Sequence, residues 1–513
     1  MDEMKEYRKE SIKSRWEKLD SDRLVLLDRA RDCAKLTVPS LLPPNHHIEQ
    51  NVLPTPYQSV GARAVNTLAA KLLMALLPPN TPFFRFIPDE TALEEIKKQD
   101  AKILTEIETK LASSERNITN EVERQALRVP TFEYLRLLVA TGNALLYKPE
   151  GKLKTFRLDQ YVVKRDPLGH PLEIIVKESI AKKALPPEIQ KLITKEEGCE
   201  TVDLFTSVEL EEDGLYYTRQ EVEGILIPDS IGTYTKETMP WLPQRWSAIA
   251  GEDYGRGPVE LYLGDLRSLE ALTQAIVEGS AAASKMVFLV NPNGNTRMRD
   301  VAKAESGDFK PGMATDVTVL QANKFNDFRV AKEVADEITN RLAQAFLMSS
   351  SVTRNAERVT AEEIRYMAGE LEDVLGGTYS VLSQEFQLPL VKLLMKEKSI
   401  SFPKDLVAPG IVTGMEALGR GHDYDKLVRF AQTIGELYGP QIVAERTNID
   451  EMLTRIANSL SIDAKGIIKT DEEMAAAQQQ TMMQQTVAQG GQALGQAGGA
   501  MLAQQLANQG AQQ

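Results

Sequence analysis

Apolar residues recur along the chain with two periods, and the points where the period changes divide it. Between Ser14 and Leu36 a stripe runs through Trp16, Leu19, Leu24, Leu27 and Leu36. This is the spacing of a helix buried along one side, and Val38-Pro39 stops it. A proline-rich stretch from Pro43 to Pro56 follows. Tyr57–Leu77 repeats the helical pattern with Val60, Ala64, Leu68, Leu72 and Leu76. Glu90–Leu127 predicts a charged helix or helix pair, and Thr131–Leu146 another apolar helix. From about Lys152 to Trp246 the period drops to two. Tyr161–Arg165 and Leu172–Lys177 flank the turn Asp166-Pro167-Leu168-Gly169, whose proline sets φ and whose glycine relieves strain. Val202, Leu204, Thr206, Val208 and Leu210 alternate with more polar neighbours, as in a half-buried strand. Asp213-Gly214 then supplies a hairpin turn before Leu215–Val222. An antiparallel, β-rich subdomain is expected there.

A helix–insert–helix arrangement comes next. Gly257-Pro258 starts a helix, because proline at the first helical position gives up a donor that had no partner. It runs to about Met286, with Leu261, Leu266, Leu269, Leu272 and Ile276 on its stripe and small residues, Gly279–Ser284, in its last turns. At ~1.5 Å per residue this is roughly 40 Å. The insert, Val287 to Phe328, holds strand-like pieces at Val287–Val290 and Val317–Leu320 and a turn at Asn291–Gly294. The second helix, Val330–Met348, carries Val334, Ile338, Leu342 and Phe346. After it comes the polar run Ser349-Ser350-Ser351 and a loop with Arg354 and Arg358. Thr360 and Glu363 have capping-box spacing, and Val359 and Ile364 that of a hydrophobic staple, so the loop ends in a firmly anchored helix. That helix runs to about Lys398, with kinks expected at Gly376-Gly377 and Pro389. Residues 401–470 read as a smaller helical unit, with Gly-Arg-Gly at 419–421 and Asp423, Tyr424 and Asp425 in a turn or helix start. Met474–Gln513 has no charged side chain and is mostly Gln, Ala, Gly and Met. Such low complexity usually means disorder. Ala, Gln and Met also form helices well, which leaves a helical tail in an assembly open.

Composition narrows the function classes. The 513 residues, 42% apolar and 26% charged, suit an ordinary protein of about three domain-sized units. The net charge of −13 argues against tight wrapping of nucleic acid, which calls for a basic face. It does not argue against a conduit, since a passage that lets a polyanion slide should hold it only locally. Cys33 and Cys199 give neither a disulfide framework nor a metal-ligand pair and fit a reducing compartment. The N-terminal run MDEMKEYRKESIKSRWEKLD is charged throughout, unlike a signal peptide. Leu72–Leu77 is too short to span a bilayer and is cut by Pro78-Pro79.

Few residues fall in patterns that carry chemistry. There is no phosphate-binding G-x-x-x-x-G-K-[ST] loop, G-x-S-x-G elbow, H-E-x-x-H helix or G-x-G-x-x-G after a strand. His46, His47 and His170 fall in a loop or after a turn and read as solvated. His422 with Asp423 and Asp425 is the one grouping on which a hydrolase-type enzyme could draw, although acids at a helix start equally stabilise the helix dipole. Glu370, Glu372 and Asp373 read as a solvated helix face. Arg354 and Arg358 outnumber the single acid of their loop but precede an acidic helix start, so on the residues alone their simplest role is pairing with those acids. Arg297, Arg299, Lys303 and Lys310 in the insert are balanced by acids and read as a solvated or docking surface.

Several strings carry more than periodicity. SSSVTRNAERVTAEEIRYMAGELEDVLGGTYS (349–380), YQSVGARAVNTLAAKLLMALLPP (57–79), TGNALLYKPEGKLKTFRLDQYVVKRDPLG (141–169), YGRGPVELYLGDLRSLEALTQAIV (254–277), LSQEFQLPLV (382–391) and TGMEALGRGHDYDKL (413–427) resemble, in the same order, the portal proteins, or head-to-tail connectors, of short-tailed bacteriophages. The resemblance covers roughly residues 10–470. It implies an α+β, mainly helical, ring-forming portal fold, usually of twelve subunits, at one capsid vertex, with a channel for double-stranded DNA. In that scheme residues 1–257 build the wing (β-rich over 152–247), 258–286 and 329–348 the stem helices and 287–328 the clip. Residues 349–359 form a channel loop, 360–400 a long kinked helix, 401–473 the crown and 474–513 the tail. The loop residues Ser351, Arg354, Asn355 and Arg358 would face DNA, and Arg297, Arg299, Lys303 and Lys310 would lie on the docking surface of the clip. Implied partners are a packaging motor (terminase large subunit), the major capsid and scaffolding proteins, a tail adaptor and internal core proteins. The resemblance implies no cofactor, no catalysis and no membrane, and places the protein in the virion after assembly in the host cytoplasm.

Overall fold

The two periods of the sequence become two kinds of packing in the computed structural model, an α+β and mainly helical fold. It describes residues 10–45, 47, 51–79, 82–88, 101–192, 201–228, 230–283, 287–294, 296–320, 325–348, 377–402, 407–411, 419–438, 452–453 and 456. The chain divides into two compact units, Met1–Ala417 and Leu418–Gln513. In the second, the helix Gly419–Tyr438 is described. The first holds everything else below.

The period-2 segments form two antiparallel sheets. Strands β4 (Tyr161–Arg165), β5 (Pro171–Ala181), β6 (Thr201–Leu210), β7 (Tyr216–Val222) and β8 (Ile225–Leu226) pair in that order, with β9 (Gly232–Tyr234) also on β7. β2 (Asn143–Tyr147) lies between β3 (Lys154–Phe156) and β10 (Trp241–Arg245). The predicted turns hold, with Gly169 at φ +90° and Gly214 at φ +77°.

β6 departs from its alternation, because both of its faces are covered. Val202 and Val208 face the sheet cores, while Phe205, Ser207 and Glu209 are buried on the other side. The cover is the helix Ile12–Asp22, whose Trp16 meets Phe205 edge to face at 6.1 Å. Arg15 reaches Glu173 and Glu209 at 2.5 Å each, and Ser207 Oγ donates to Glu209. Burial pushes the Glu209 carboxyl up, but the hydrogen bonds from Arg15 and Ser207 outweigh it and hold the group below its usual value. The Glu221 carboxylate accepts the Ile12 and Lys13 N–H groups at 2.8 and 3.3 Å, so the sheet caps the helix that covers it.

Several predicted elements are corrected. The stripe over Ser14–Leu36 is two helices, Ile12–Asp22 and Leu24–Lys35. They part at Arg23, whose guanidinium turns inward to the Leu158 carbonyl (2.6 Å) and Asp20, which leaves Leu24 exposed. The helix predicted over Thr131–Leu146 ends at Thr141, where Gly142 turns left-handed (φ +76°) and the NALLY run becomes β2. The helical reading of 401–470 misses β13 (Val407–Ile411), which pairs antiparallel with β1 (Phe84–Pro88). The outer edge of β1 is blunted by the helix Ala101–Arg124, since Phe86 N–H donates to Glu115 at 2.9 Å.

Just before Pro389, where a kink is expected, stands a π-helical turn, Ser383–Gln387, between the helices Gly377–Leu382 and Leu388–Glu397. Pro389 has no N–H for the carbonyl four residues back, that of Glu385. Gln244 Nε2 donates to it instead, at 2.5 Å. Gln387 Nε2 reaches the carbonyl of Leu76, one of those left open where the helix Val60–Leu76 ends. Tyr134 stacks on Phe386 at 5.3 Å, inside the large core shared by Val60–Leu76, Arg128–Thr141 and Leu388–Glu397.

One crossing fixes where the helix pair leaves this core. A Cβ at Gly142 would lie 2.3 Å from Gly257 N, and one at Gly257 2.7 Å from Gly142 N. The Asn143 side chain donates to Gly255 O (2.8 Å) and accepts from Gly255 N–H (2.7 Å). Gly142→Ala adds a left-handed alanine and a backbone clash, at about 2–5 kcal/mol together. Chemical denaturation should show the loss as a lowered midpoint; an unchanged midpoint would contradict the close crossing.

Candidate functional site

From the crossing the chain enters Pro258–Leu261, breaks at Tyr262 and continues as Leu263–Ala283. The break shortens the long helix predicted from Pro258 and leaves Leu261 in solvent, while Tyr262 meets Phe346 edge to face at 5.5 Å. The partner helix is Phe325–Ala345. The two run antiparallel: Asp265 pairs with Arg341 at 3.1 Å near one end, and Gly279 sits against Phe328 near the other. A Cβ at Gly279 would be 2.5 Å from the Phe328 ring, so glycine lets the ring seat there. Leu266, Leu269, Ile338, Leu342 and Phe346 bury the pair in the large core. Glu270 ties it to the next helix by accepting the Tyr57 and Gln58 N–H groups at 2.9 and 3.2 Å. Toward the insert the burial stops. Val277, Val330 and Val334 are 51%, 57% and 41% exposed.

The insert contains the two predicted strand pieces, now β11 (Val287–Val290) and β12 (Val317–Leu320), paired from Val287↔Leu320 to Val290↔Val317. Between them the chain is knotted by the buried Asp316 carboxylate. Its Oδ2 accepts from Thr296 N–H (3.2 Å) and Thr296 Oγ1 (2.9 Å). Thr296 Oγ1 accepts from Met313 N–H (2.9 Å), and Asp316 O from Asn291 N–H (2.8 Å). Gly294 and Gly312 let this knot close, since a Cβ on either would meet Asp316 or Thr296 within 2.7 Å. Arg297, Arg299, Lys303 and Lys310 are all exposed, the first three on or beside the short helix Met298–Ala302, and Lys310 pairs with Asp308 at 3.3 Å.

Ser351, Arg354, Asn355 and Arg358 lie outside the described residues, as do Glu370, Glu372, Asp373 and Cys199. His422, Asp423 and Asp425 fall in the first two turns of the helix Gly419–Tyr438, the helix start of the two alternatives. His170 Nδ1 is 3.1 Å from the Asp166 carboxylate of its own turn, and the His47 N–H donates to the Pro44 carbonyl at 3.2 Å. Burial pushes the Cys33 thiol up to about 12, so it stays protonated near neutral pH. Among the described residues no group of three His, Cys, Asp or Glu is placed to hold a metal ion, and no helix is long and apolar enough to cross a membrane. The Asp316 knot was missed in the sequence, although the Asn-Pro-Asn-Gly turn and the two strand pieces marked the region where it forms.

The profile of the bacteriophage head to tail connecting protein family matches residues 9–468, and the chain belongs to that family. The portal protein of Escherichia phage T7 is 44% identical over 497 residues, covering 94% of this chain and 91% of the relative. The portal protein of Enterobacteria phage SP6 is 32% identical over 483 residues, covering 92% of each. The neck of a native gene transfer agent particle aligns over 75% of this chain and 89% of its own at 12% identity, with a TM-score of 0.36, too slight a likeness to add to the sequence match.

Asp316→Ala removes the acceptor of two donors in the insert, a loss of about 1–3 kcal/mol felt locally. Amide hydrogen exchange should rise within 291–316 while the helices at 263–283 and 325–345 keep their protection. Unchanged exchange in the insert would show that the knot does not hold it.

Proposed function

We propose that this chain is the portal subunit of a short-tailed bacteriophage. Copies close into a ring, usually of twelve, at one vertex of the capsid. The ring conducts double-stranded DNA during packaging and ejection and joins head to tail. The observation that carries this reading is the match to the connector family over nearly the whole chain, with portal proteins as the named relatives. The exposed valines of the helix pair support it: a lone chain leaves Val277, Val330 and Val334 in water, and a neighbouring copy would cover them. The charge of −13 suits a passage that must not retain a polyanion.

In this reading the body up to residue 257 is the wing, the helix pair the stem, and 287–328 the clip that meets a packaging motor and later the tail adaptor. Residues 349–359 are the channel loop, where Arg354 and Arg358, with Ser351 and Asn355, contact phosphates locally. Residues 360–400 form the long kinked helix and 401–473 the crown, with 474–513 beyond it. The subunit is structural, needs no cofactor, and meets capsid, scaffolding and internal core proteins in the head. It resides in the virion after assembly in the host cytoplasm.

Electron microscopy of the purified protein should show end-on rings of about twelve subunits around a hole wide enough for duplex DNA, about 20 Å across. A homogeneous monomer or dimer over a range of concentration and salt would overturn the reading. The channel loop has its own test. Phage carrying Arg354→Ala with Arg358→Ala should lose packaged genome or package less of it, and unchanged retention and packaging would remove the loop from that role.

A further inference from the structure

Residues 305–313 of the insert (ESGDFKPGM) form a finger that displays one aromatic ring. Phe309 is 100% exposed. Water disfavours such a ring, yet the backbone on both sides is pinned. On one side Glu305 N–H donates to Asp308 Oδ2 and Asp308 N–H to Glu305 O, both at 3.1 Å, and Gly307 turns at φ +100°. On the other, Pro311 restricts the chain and Met313 N–H is held by Thr296 Oγ1 at 2.9 Å. A pinned backbone means that docking the ring orders few further groups, and aromatic anchors of this kind carry a large share of interface energy. Met298 and Met313 are exposed in the same insert, and Arg297, Arg299 and Lys303 stand beside the finger's base with Asp300 as the acid among them.

Among the described residues nothing covers the ring, so its seat lies on another molecule. A nucleic-acid partner is disfavoured, because Glu305 and Asp308 precede the ring and the one cation next to it, Lys310, is paired with Asp308 at 3.3 Å. We propose that Phe309 anchors the insert in an apolar pocket of a separate head-tail junction protein, a pocket whose rim carries carboxylates for Arg297, Arg299 and Lys303. The proposal rests on the portal reading and on 287–328 as its docking element.

The test uses rings of the full chain and the tail adaptor protein of the same phage as probe. Phe309→Ser should weaken adaptor binding at least about 30-fold, as loss of an interface anchor does, with ring symmetry unchanged in micrographs. Phe309→Leu, which keeps an apolar side chain, should stay within about threefold of the parent. Normal binding by Phe309→Ser, with binding lost when 287–328 is deleted, would overturn the anchor and leave the docking insert standing. Normal binding by the deletion as well would show that the failure lies in the docking assignment itself. If Phe309→Ser prevents ring closure, the ring belongs to a contact between copies; if it lowers duplex affinity but not adaptor binding, it belongs to DNA. Either result overturns the proposal.

Discussion

Two glycines that touch backbone to backbone decide where the functional half of this chain begins. Gly142 ends one helix and Gly257 precedes the next, and neither position has room for a side chain. Asn143 binds Gly255 through both ends of its amide, and Trp246 N–H donates to the Gly142 carbonyl at 2.9 Å. The strands between residues 143 and 245 are in effect a long excursion that returns to its starting point. Pro258 leaves from that closed point, and the helix pair and its insert inherit their position from it. A contact made only of main chain has few alternative arrangements, which is what a long lever needs at its base.

Much of this was legible because it is local. The helix pair, the strand pieces of the insert and the β-rich segment follow from spacing, turn residues and a proline at a helix start. The failures share a cause, which is that their partners are distant in sequence. Nothing in Val407–Ile411 announces Phe84–Pro88, and nothing around Arg23 announces Leu158. β6 looked half-buried because its second face is covered by a helix nearly two hundred residues earlier. Within the candidate site, the cations of the insert were visible in the sequence, but the carboxylate that shapes it was not. Asp316 reads as one more surface acid until Thr296 is brought to it.

Not all cations of the chain are at its surface. Arg15, Arg23, Lys148 and Arg165 are buried, and each is held by protein oxygens. Arg165 reaches the carbonyls of Asp253, Gly169 and Pro243, and Lys148 joins Glu397 at 2.9 Å. Glu397 also accepts from Gln125 and Gly151, so the end of the kinked helix is tied to the N-terminal half by one carboxylate. Positive charge committed in this way cannot meet a phosphate. Buried acids such as Glu121, Glu209, Glu221 and Asp316 nearly offset these cations, so the surface stays as acidic as the composition implies, and any grip on DNA has to come from a few local residues.

The π turn at Ser383–Gln387 has a geometric meaning beyond the kink. Burial along this helix comes in pairs, at Leu382 and Ser383, Phe386 and Gln387, Leu390 and Val391, and Leu393 and Leu394, and the first three pairs are four residues apart. Four residues of α-helix turn about 40° too far, so those two repeats would carry the apolar stripe about 80° around the axis. A single turn closed one residue later turns the count back by about 100° and takes up that drift. The bulge thus acts as a phase correction, and a repeat that does not match the helix stays on one face because the helix loses count once.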